Sequence, residues 1–264
     1  MSQPLTSPPI ATGVKPERLR GLQRWNIALA VLHLGQAAVL LFLTNDFAIP
    51  VLASYVDGPP GAGEEGGLVT STLFELTIGY VLVAFLLLAG IDHLLTATLG
   101  RRIYERDLQR GMNRFRWVEY SISATLMVVV IALYWGIVTI NALIVVAGAN
   151  IAMILFGYLQ ERMNPPGRTS TTMVPFWFGA LVGVTPWIAM GLNIPLYSDA
   201  PDYIFVILAI QGVLFFCFGL TQWLQYREIG PWHNYAFGEK TYPVLSLAAK
   251  SLLTWQVFLA SLIS

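Results

Sequence analysis

The chain has few of the residues that build soluble or disulfide-bonded folds. Of its 264 residues, only 11% are charged, and Cys217 is the single cysteine. A single cysteine excludes an intrachain disulfide, and no Cys cluster suggests a metal site. Soluble globular domains carry roughly 25% charged residues, so the composition indicates an integral membrane protein. The formal net charge of zero lacks the positive excess expected of a nucleic-acid-binding protein.

Long hydrophobic runs are what the sequence has in abundance. A spanning helix needs about 20 mostly apolar residues, and 41 uncharged residues between Glu119 and Glu161 suit two spans rather than one. The sequence therefore predicts an all-α membrane domain over residues 24–264, a bundle of seven transmembrane helices. Their expected bounds are about 24–45, 69–99, 114–137, 140–162, 172–194, 203–227 and 241–263. Residues 1–23, rich in Pro, Ser and Thr, are expected to form a disordered cytoplasmic tail.

The positive charges test this count of helices. With seven spans, fourteen of the fifteen Lys and Arg residues fall on one side, which the positive-inside rule assigns to the cytoplasm. They are Lys15, Arg18, Arg20, Arg24, Arg101, Arg102, Arg106, Arg110, Arg114, Arg116, Arg162, Arg168, Arg227 and Lys240. The N-terminus is therefore predicted to be cytoplasmic and the C-terminus extracellular, in the cell membrane.

The first outer loop, residues 47–67, is the only long one. Its first half alternates weakly between apolar and polar residues, and a Gly/Pro turn cluster follows at residues 57–61. A short β-hairpin and a flexible loop both fit this pattern.

Lys250 is the one basic residue outside the cytoplasmic set. It follows Lys240 by ten residues, or ~15 Å along a helix, and so lies near the centre of a ~30 Å hydrocarbon core. A lysine there costs about 3 kcal/mol on insertion scales. Two interpretations remain open: an ion pair with a buried carboxylate, or a covalent Schiff base with a carbonyl compound.

The helices bring other polar residues to the depth of Lys250. Glu119, His33 and His93 are expected at a similar level from three other helices, and Gln36 lies one turn beyond His33. Each histidine alone is equally consistent with a packed, hydrogen-bonded side chain, and a Lys250–Glu119 pair with a purely structural contact. Glu75 and Asp92 are expected nearer the interfaces, in contact with water.

The segment Arg116-Trp117-Val118-Glu119-Tyr120 has the spacing of the counterion segment in light-driven pumps. Eight stretches of sequence are informative: NDFAIP (45–50), GPPG (58–61), FRWVEYSIS (115–123), MILFGYLQE (153–161), PFWFG (175–179), PWI (186–188), QWLQY (222–226) and LSLAAKS (245–251). These stretches resemble segments of the heliorhodopsins, a family of microbial-type retinal proteins with inverted topology.

This resemblance implies a cofactor and a site. Lys250 would carry all-trans retinal as a protonated Schiff base, with Glu119 as its counterion. The Schiff-base cavity, with the residues that receive or share its proton, would contain His33, His93, Ser246, Gln36 and Arg116. The retinal pocket would contain Tyr120, Met127, Met153, Trp177, Phe215 and Gln222. The family also implies a homodimer with a strand pair of the first outer loop at the interface.

The expected function is light sensing without net ion transport. Beyond Lys250 toward the outside, neither the seventh helix nor the outer half of the third contains an acid or base, so a proton released inside has no outward path. The output would be a slow photocycle with internal proton transfer, transmitted to an unidentified cytoplasmic partner. Two alternatives are a light-driven ion transporter and a retinal-free seven-helix transporter or scaffold. The chain contains no catalytic motif, so it is not predicted to be an enzyme.

Overall fold

The protein is a bundle of membrane-spanning helices. The computed structural model describes residues 14–59, 67–196 and 199–263, and within them seven helices are long and apolar enough to cross a membrane. These are α1 (Pro16–Leu43), α2 (Ile78–Ala97), α4 (Arg114–Tyr134), α5 (Ile140–Met163), α6 (Val174–Gly191), α7 (Asp202–Tyr226) and α8 (Tyr235–Ser261). A shorter helix α3 (Arg101–Gln109) and two 3-10 turns (Ile194–Leu196 and Gly230–His233) lie between them. The predicted seven-helix, multi-pass architecture is confirmed.

The first long connection forms a two-stranded antiparallel sheet, as one of the two sequence interpretations predicted. Strand β1 (Ala48–Val56) pairs with β2 (Leu68–Thr77), and the register shifts at Leu52. The N–H of Leu52 donates a 2.9 Å hydrogen bond to the carbonyl of Val138, which fixes the hairpin to the turn between α4 and α5.

Three predicted boundaries are wrong, and one of them is the start of the seventh helix, expected at residue 241 but found at Tyr235. The second helix was expected from residue 69, but residues 68–77 form β2 and the helix begins at Ile78. Three of these ten residues are Thr, and Val69 and Phe74 lie among them; β-branched and aromatic side chains favour strands. The predicted disordered tail also extends too far, since α1 begins at Pro16, where the fixed φ of proline suits the first helical turn. Residues 1–13 of that tail lie outside the described residues.

The arginine-rich connection after α2 is helical rather than a simple loop. Helix α3 is amphipathic, and its buried Asp107 accepts two hydrogen bonds from the Arg114 guanidinium, at 2.7 and 2.8 Å. Asn113 then caps α4 by accepting a hydrogen bond from the backbone N–H of Arg116 at 3.1 Å. These contacts set the start of the helix that carries Glu119.

The two ends of the bundle differ in chemistry. Helices α1, α4, α6 and α8 begin, and α2, α5 and α7 end, at the same end, called here the basic end because the fourteen Lys and Arg residues named above cluster there. The opposite end, the hairpin end, has an apolar core between α2, α4 and α8. Its buried side chains include Leu82, Phe85, Leu86, Val130, Ile131, Leu253 and Val257.

Candidate functional site

Lys250 and Glu119 meet inside the bundle. The Nζ atom of Lys250 lies 3.2 Å from Oε1 of Glu119, and the two side chains are 3% and 6% exposed. Helix α8 also supplies Ser246, four residues before Lys250 and on the same face, whose Oγ accepts a 2.7 Å hydrogen bond from the amine. The amine lies 5.0 Å from the centre of the Tyr120 ring. A buried cation is thus surrounded by a carboxylate, a hydroxyl and an aromatic face.

The two predicted histidines form a pair beside this amine. Their rings stack with centroids 5.7 Å apart and planes 6° from parallel, and both are close enough for the charge of Lys250 to act on them. Nδ1 of His93 lies 2.8 Å from the amide oxygen of Asn26. Because that oxygen only accepts, Nδ1 is the protonated nitrogen and Nε2 of His93 keeps its lone pair. Both ring nitrogens of His33 are buried without a hydrogen-bond partner in the described part of the chain.

The region beyond the amine toward the hairpin end is closed by a hydrogen bond between helices. The indole N–H of Trp255 on α8 donates to the side-chain oxygen of Gln36 on α1 at 3.1 Å. Gln36 therefore contacts the helix of Lys250, but one turn further along it than the amine.

A second part of the site is an apolar cavity that ends at Lys250. Its volume is about 290 Å³, near the lower limit of ~300 Å³ for small-molecule pockets. Five residues predicted for the retinal pocket line it: Tyr120, Met127, Met153, Phe215 and Gln222. Trp177 does not, since its side chain is 59% exposed and its neighbour Phe176 lines the cavity instead. Successive residues on a helix point 100° apart, so α6 turns Phe176 inward and Trp177 toward the lipid.

Close backbone approaches shape this cavity. A Cβ atom on Gly183 would collide with the Met153 side chain, and one on Gly157 with the Trp117 ring. Gly157 also uses its carbonyl to accept a 3.1 Å hydrogen bond from the Gln222 amide. Glycines at these two positions leave room for the Trp117 side chain of α4 against α5 and for the Met153 side chain of α5 against α6.

The structure places Arg116 in a separate cluster. Its buried guanidinium forms salt bridges with Glu161 of α5 and Glu239 of α8, and its central carbon lies 4.1 Å from the centre of the Tyr242 ring. Trp117 donates to Glu161 at 2.5 Å. Arg116 therefore ties α4, α5 and α8 together near the basic end, and none of its hydrogen bonds or ion pairs in the described residues reaches Lys250 or Glu119.

Sequence reasoning missed several residues that the structure brings to the site. Asn26 could have been found, since it precedes His33 by two helical turns and shares its face. Trp187 lies in the matched segment PWI (186–188), but the sequence analysis gave it no role, and the structure places it in the lining of the apolar cavity. Asp92, expected in water, is half-buried and close enough to Glu119 for their charges to interact.

The comparison with known families now decides the assignment. The sequence profile of the heliorhodopsin family matches residues 22–262. The chain belongs to the heliorhodopsin family. Membership implies a retinal photoreceptor, and no curated protein sequence matches the chain significantly.

Solved structures that resemble this chain include rhodopsins of low sequence identity. A light-driven proton pump from Coccomyxa subellipsoidea is 16% identical, with 93% of this chain and 97% of that chain covered and a TM-score of 0.59. A cyanorhodopsin from the cyanobacterium Tolypothrix sp. is 14% identical, with 93% and 95% covered and a TM-score of 0.58. Halorhodopsin, a light-driven chloride pump, is 13% identical, with 92% and 95% covered and a TM-score of 0.58. At this identity they establish the fold.

The residues present fit a retinal chromophore. The cavity is lined mainly by aromatic and aliphatic side chains and ends at a buried amine, as an apolar aldehyde that binds a lysine requires. Ser123 lies one helical turn beyond Glu119, and Thr254 lies one turn beyond Lys250. Their buried hydroxyls have no hydrogen-bond partner among the described residues, so unpaired polar groups lie near the amine.

Proposed function

We propose that this heliorhodopsin is a light sensor in which Lys250 carries all-trans retinal as a protonated Schiff base and Glu119 is its counterion. The 3.2 Å contact between the Lys250 amine and Glu119, at the end of an apolar slot, carries this proposal. Bound there, retinal supplies a visible absorption band and a double bond that isomerises on illumination. The aromatic residues that line the slot, Tyr120, Trp187 and Phe215 among them, would pack against the group and restrict its orientation.

Glu119 and Ser246 keep the Lys250 nitrogen charged in the dark. A carboxylate beside a buried cation favours the charged form, and the Ser246 oxygen adds a hydrogen-bond acceptor at 2.7 Å. Asp92 contributes a further acidic group near Glu119. Any movement that separates the Lys250 nitrogen from Glu119 would weaken this pairing and favour release of the proton.

The histidine pair is the proposed proton acceptor. Nε2 of His93 has a free lone pair because Nδ1 donates to Asn26, and the fully buried His33 lies against it. A proton held on a ring nitrogen of this histidine pair remains beside Lys250 and can return to it, so the transfer is internal.

The apolar core at the hairpin end supports the absence of net transport. Leu253 and Val257 follow Lys250 on α8 and belong to the same buried apolar cluster as Val130 and Ile131 of α4. The described buried side chains of this cluster offer no group that could accept a proton. We propose that the slow return of the proton prolongs a signalling state, which an unidentified partner reads at the basic end of the bundle.

The retinal linkage is tested by absorption spectroscopy of protein reconstituted with retinal. The Lys250→Ala variant is expected to give no visible band, and hydroxylamine is expected to bleach the band of the unmodified protein. Lys240→Ala, which removes an exposed lysine from the same helix, is the matched control and keeps the band. A visible band in Lys250→Ala would contradict the assignment.

Internal proton transfer is tested by flash photolysis with a pH-indicator dye. The expected record shows a slow late intermediate without proton release to the medium, and no light-induced current in proteoliposomes. A sustained current would instead establish a light-driven transporter.

The hairpin supports a homodimer as a second part of the proposal. Leu68 and Leu73 of β2 are 71% and 52% exposed, and strand edges with exposed apolar residues pair readily with another chain. The double variant Leu68→Ser/Leu73→Ser is expected to shift the protein from dimer to monomer in light-scattering chromatography. The control is Leu99→Ser, which removes an 88% exposed leucine from the basic end. A dimer that survives the double variant would exclude the hairpin interface.

A further inference from the structure

The buried Asn26 lies between the histidine pair and the basic end of the bundle. Its side-chain oxygen lies 2.8 Å from Nδ1 of His93, and its side-chain nitrogen donates a 3.0 Å hydrogen bond to the carbonyl of Leu22, one turn earlier on α1. Because the amide nitrogen is engaged there, the oxygen is the atom that faces His93. Asn26 therefore fixes the roles of both ring nitrogens of His93, since Nδ1 donates and Nε2 keeps its lone pair.

The phenol of Tyr104 on α3 lies next to Asn26, toward the basic end. Asn26 is close enough to form a hydrogen bond with this phenol, and the charges of Glu239 and Arg116 act on it. Burial and, to a smaller extent, the Glu239 carboxylate raise the pKa of Tyr104, so its hydroxyl keeps its proton. A line of polar groups thus runs from His93 through Asn26 and Tyr104 to Glu239.

Apolar side chains enclose this line where it approaches the basic end. Leu22, Tyr104 and Leu108 form a buried cluster, with Leu19 and Phe115 packed against it. The rings of Tyr104 and Phe115 meet edge to face, with centroids 6.5 Å apart and planes at 77°. A proton that left the histidine pair in this direction would therefore move along the polar line rather than through the packing around it.

Other charged groups face the histidine pair from the neighbouring helices. Lys250 of α8 acts on both rings, and Glu119 of α4 lies 3.2 Å from that amine. Asp92, next to His93 on α2, is half-buried, and its charge acts on Tyr104 of α3. Asp92 is therefore a second group through which a proton could leave, and the experiment includes a variant that removes its charge.

We infer that Asn26 is a positioning residue that keeps the Schiff-base proton inside the bundle. The inference rests on the proposed function, in which the N–H bond at Lys250 breaks and an N–H bond forms on the histidine pair. Asn26 leaves Nε2 of His93 as the basic nitrogen, while Nδ1 already carries a proton. An amide oxygen accepts a hydrogen bond but takes up no proton at neutral pH, so the line toward Tyr104 ends at Asn26. The proton on Nε2 then returns to Lys250 by the reverse step.

Nitrogen-15 NMR of the retinal-bound protein in the dark tests the positioning of His93 without the photocycle. With histidine labelled and the His93 signal assigned by its loss in His93→Gln, the proton is expected on Nδ1. Asn26→Leu keeps the side-chain size and removes the acceptor, and it is expected to shift the ratio of the two ring forms about two- to tenfold toward Nε2–H. Asn26→Asp keeps an acceptor and is expected to retain Nδ1–H. An unshifted His93 signal in Asn26→Leu would overturn the inference.

Flash photolysis of the same proteins tests the barrier. In the unmodified protein, the decay of the late intermediate is expected to be independent of the pH of the medium. Asn26→Asp adds a group that takes up protons, and its decay is expected to accelerate as the pH falls. The control is Asn164→Asp, at another buried asparagine, whose amide bonds to the carbonyl of Thr172 in the α5–α6 connection. An equal pH dependence in this control, or a decay independent of pH in Asn26→Asp, would overturn the inference.

A double variant separates Asn26 from Asp92. The pH dependence of Asn26→Asp is expected to persist in Asn26→Asp/Asp92→Asn, and its loss there would assign the exchange to Asp92 and overturn the inference. A photocycle of the unmodified protein without a deprotonated late intermediate would refute the proposed function and the barrier with it. An Nδ1–H signal that depends on Asn26 would still leave the positioning of His93 standing. The visible band of each reconstituted variant establishes that it is folded.

Discussion

At the scale of single residues, the contact between Lys250 and Glu119 decides the chemistry. Glu119 is buried and its Oε1 lies 3.2 Å from the amine without the alignment of a hydrogen bond, so their interaction is chiefly that of two opposite charges. In a low-dielectric interior this attraction is stronger than in water. The loss of either charge leaves the other uncompensated.

The variant Glu119→Gln tests this dependence. The Schiff base is expected to lose its proton at neutral pH, and the absorption band to move from the visible to the near ultraviolet, because an unpaired buried charge costs about 3–5 kcal/mol. Absorption spectra across a pH titration measure the change. Glu75→Gln, an exposed carboxylate of the hairpin, is expected to leave the spectrum unchanged. A visible band that persists in Glu119→Gln at neutral pH would assign the counterion elsewhere.

At the scale of elements, the packing of α5 against α6 sets the width of the retinal slot. Gly183 leaves room for Met153, and the slot holds only about 290 Å³. One added methyl group on α6 therefore acts on the cavity through a side chain of the neighbouring helix.

The substitution Gly183→Ala is expected to push Met153 into the slot. Overpacking of this kind costs about 1–3 kcal/mol, so retinal should bind several-fold more slowly, with a shifted absorption maximum. The rate of pigment formation after retinal addition is the measurement. Gly191→Ala on the same helix, where nothing lies within 4 Å of the new Cβ, is the control. Equal rates in the two variants would contradict this account of the slot.

The sequence predicted the features that depend on a single helix, such as its existence and the depth of each residue along it. It failed for side-chain contacts that depend on how two helices are rotated relative to each other. Runs of apolar residues and the placement of arginines predicted the number of helices, and depth along each helix brought Lys250, Glu119 and His33 together. Depth alone could not distinguish Trp177 from Phe176, whose directions depend on the rotation of α6. It also assigned Arg116 to the wrong neighbours, because its partners Glu161 and Glu239 come from two helices distant in sequence.

At the scale of the whole molecule, the Arg116 cluster joins three helices close to the basic end. Arg116→Met would leave Glu161 and Glu239 buried without their cation, and removing one partner of a buried pair costs about 3–5 kcal/mol. Thermal loss of the visible band is expected at a clearly lower temperature than in the unmodified protein. Arg110→Met, an exposed arginine, should have little effect. Glu239→Gln should be milder than Arg116→Met, because one full ion pair remains, and a reversed order would contradict this role.

The predicted orientation places the basic end in the cytoplasm. In a Cys217→Ser background, a membrane-impermeant maleimide is expected to label Asp57→Cys in intact cells and Arg110→Cys only after lysis. Both positions are exposed, so accessibility alone does not separate them. Labelling of Arg110→Cys in intact cells would reverse the orientation.

The irregular step at Leu52 has a mechanical consequence. It frees one strand N–H to hold Val138, just past the end of α4, the helix that carries the counterion. A force that a neighbouring molecule applies to the hairpin is therefore transmitted to the C-terminal end of α4, and Glu119 lies nearer the other end of the same helix. The absorption maximum of the pigment would then report mechanical force applied at the opposite surface of the membrane.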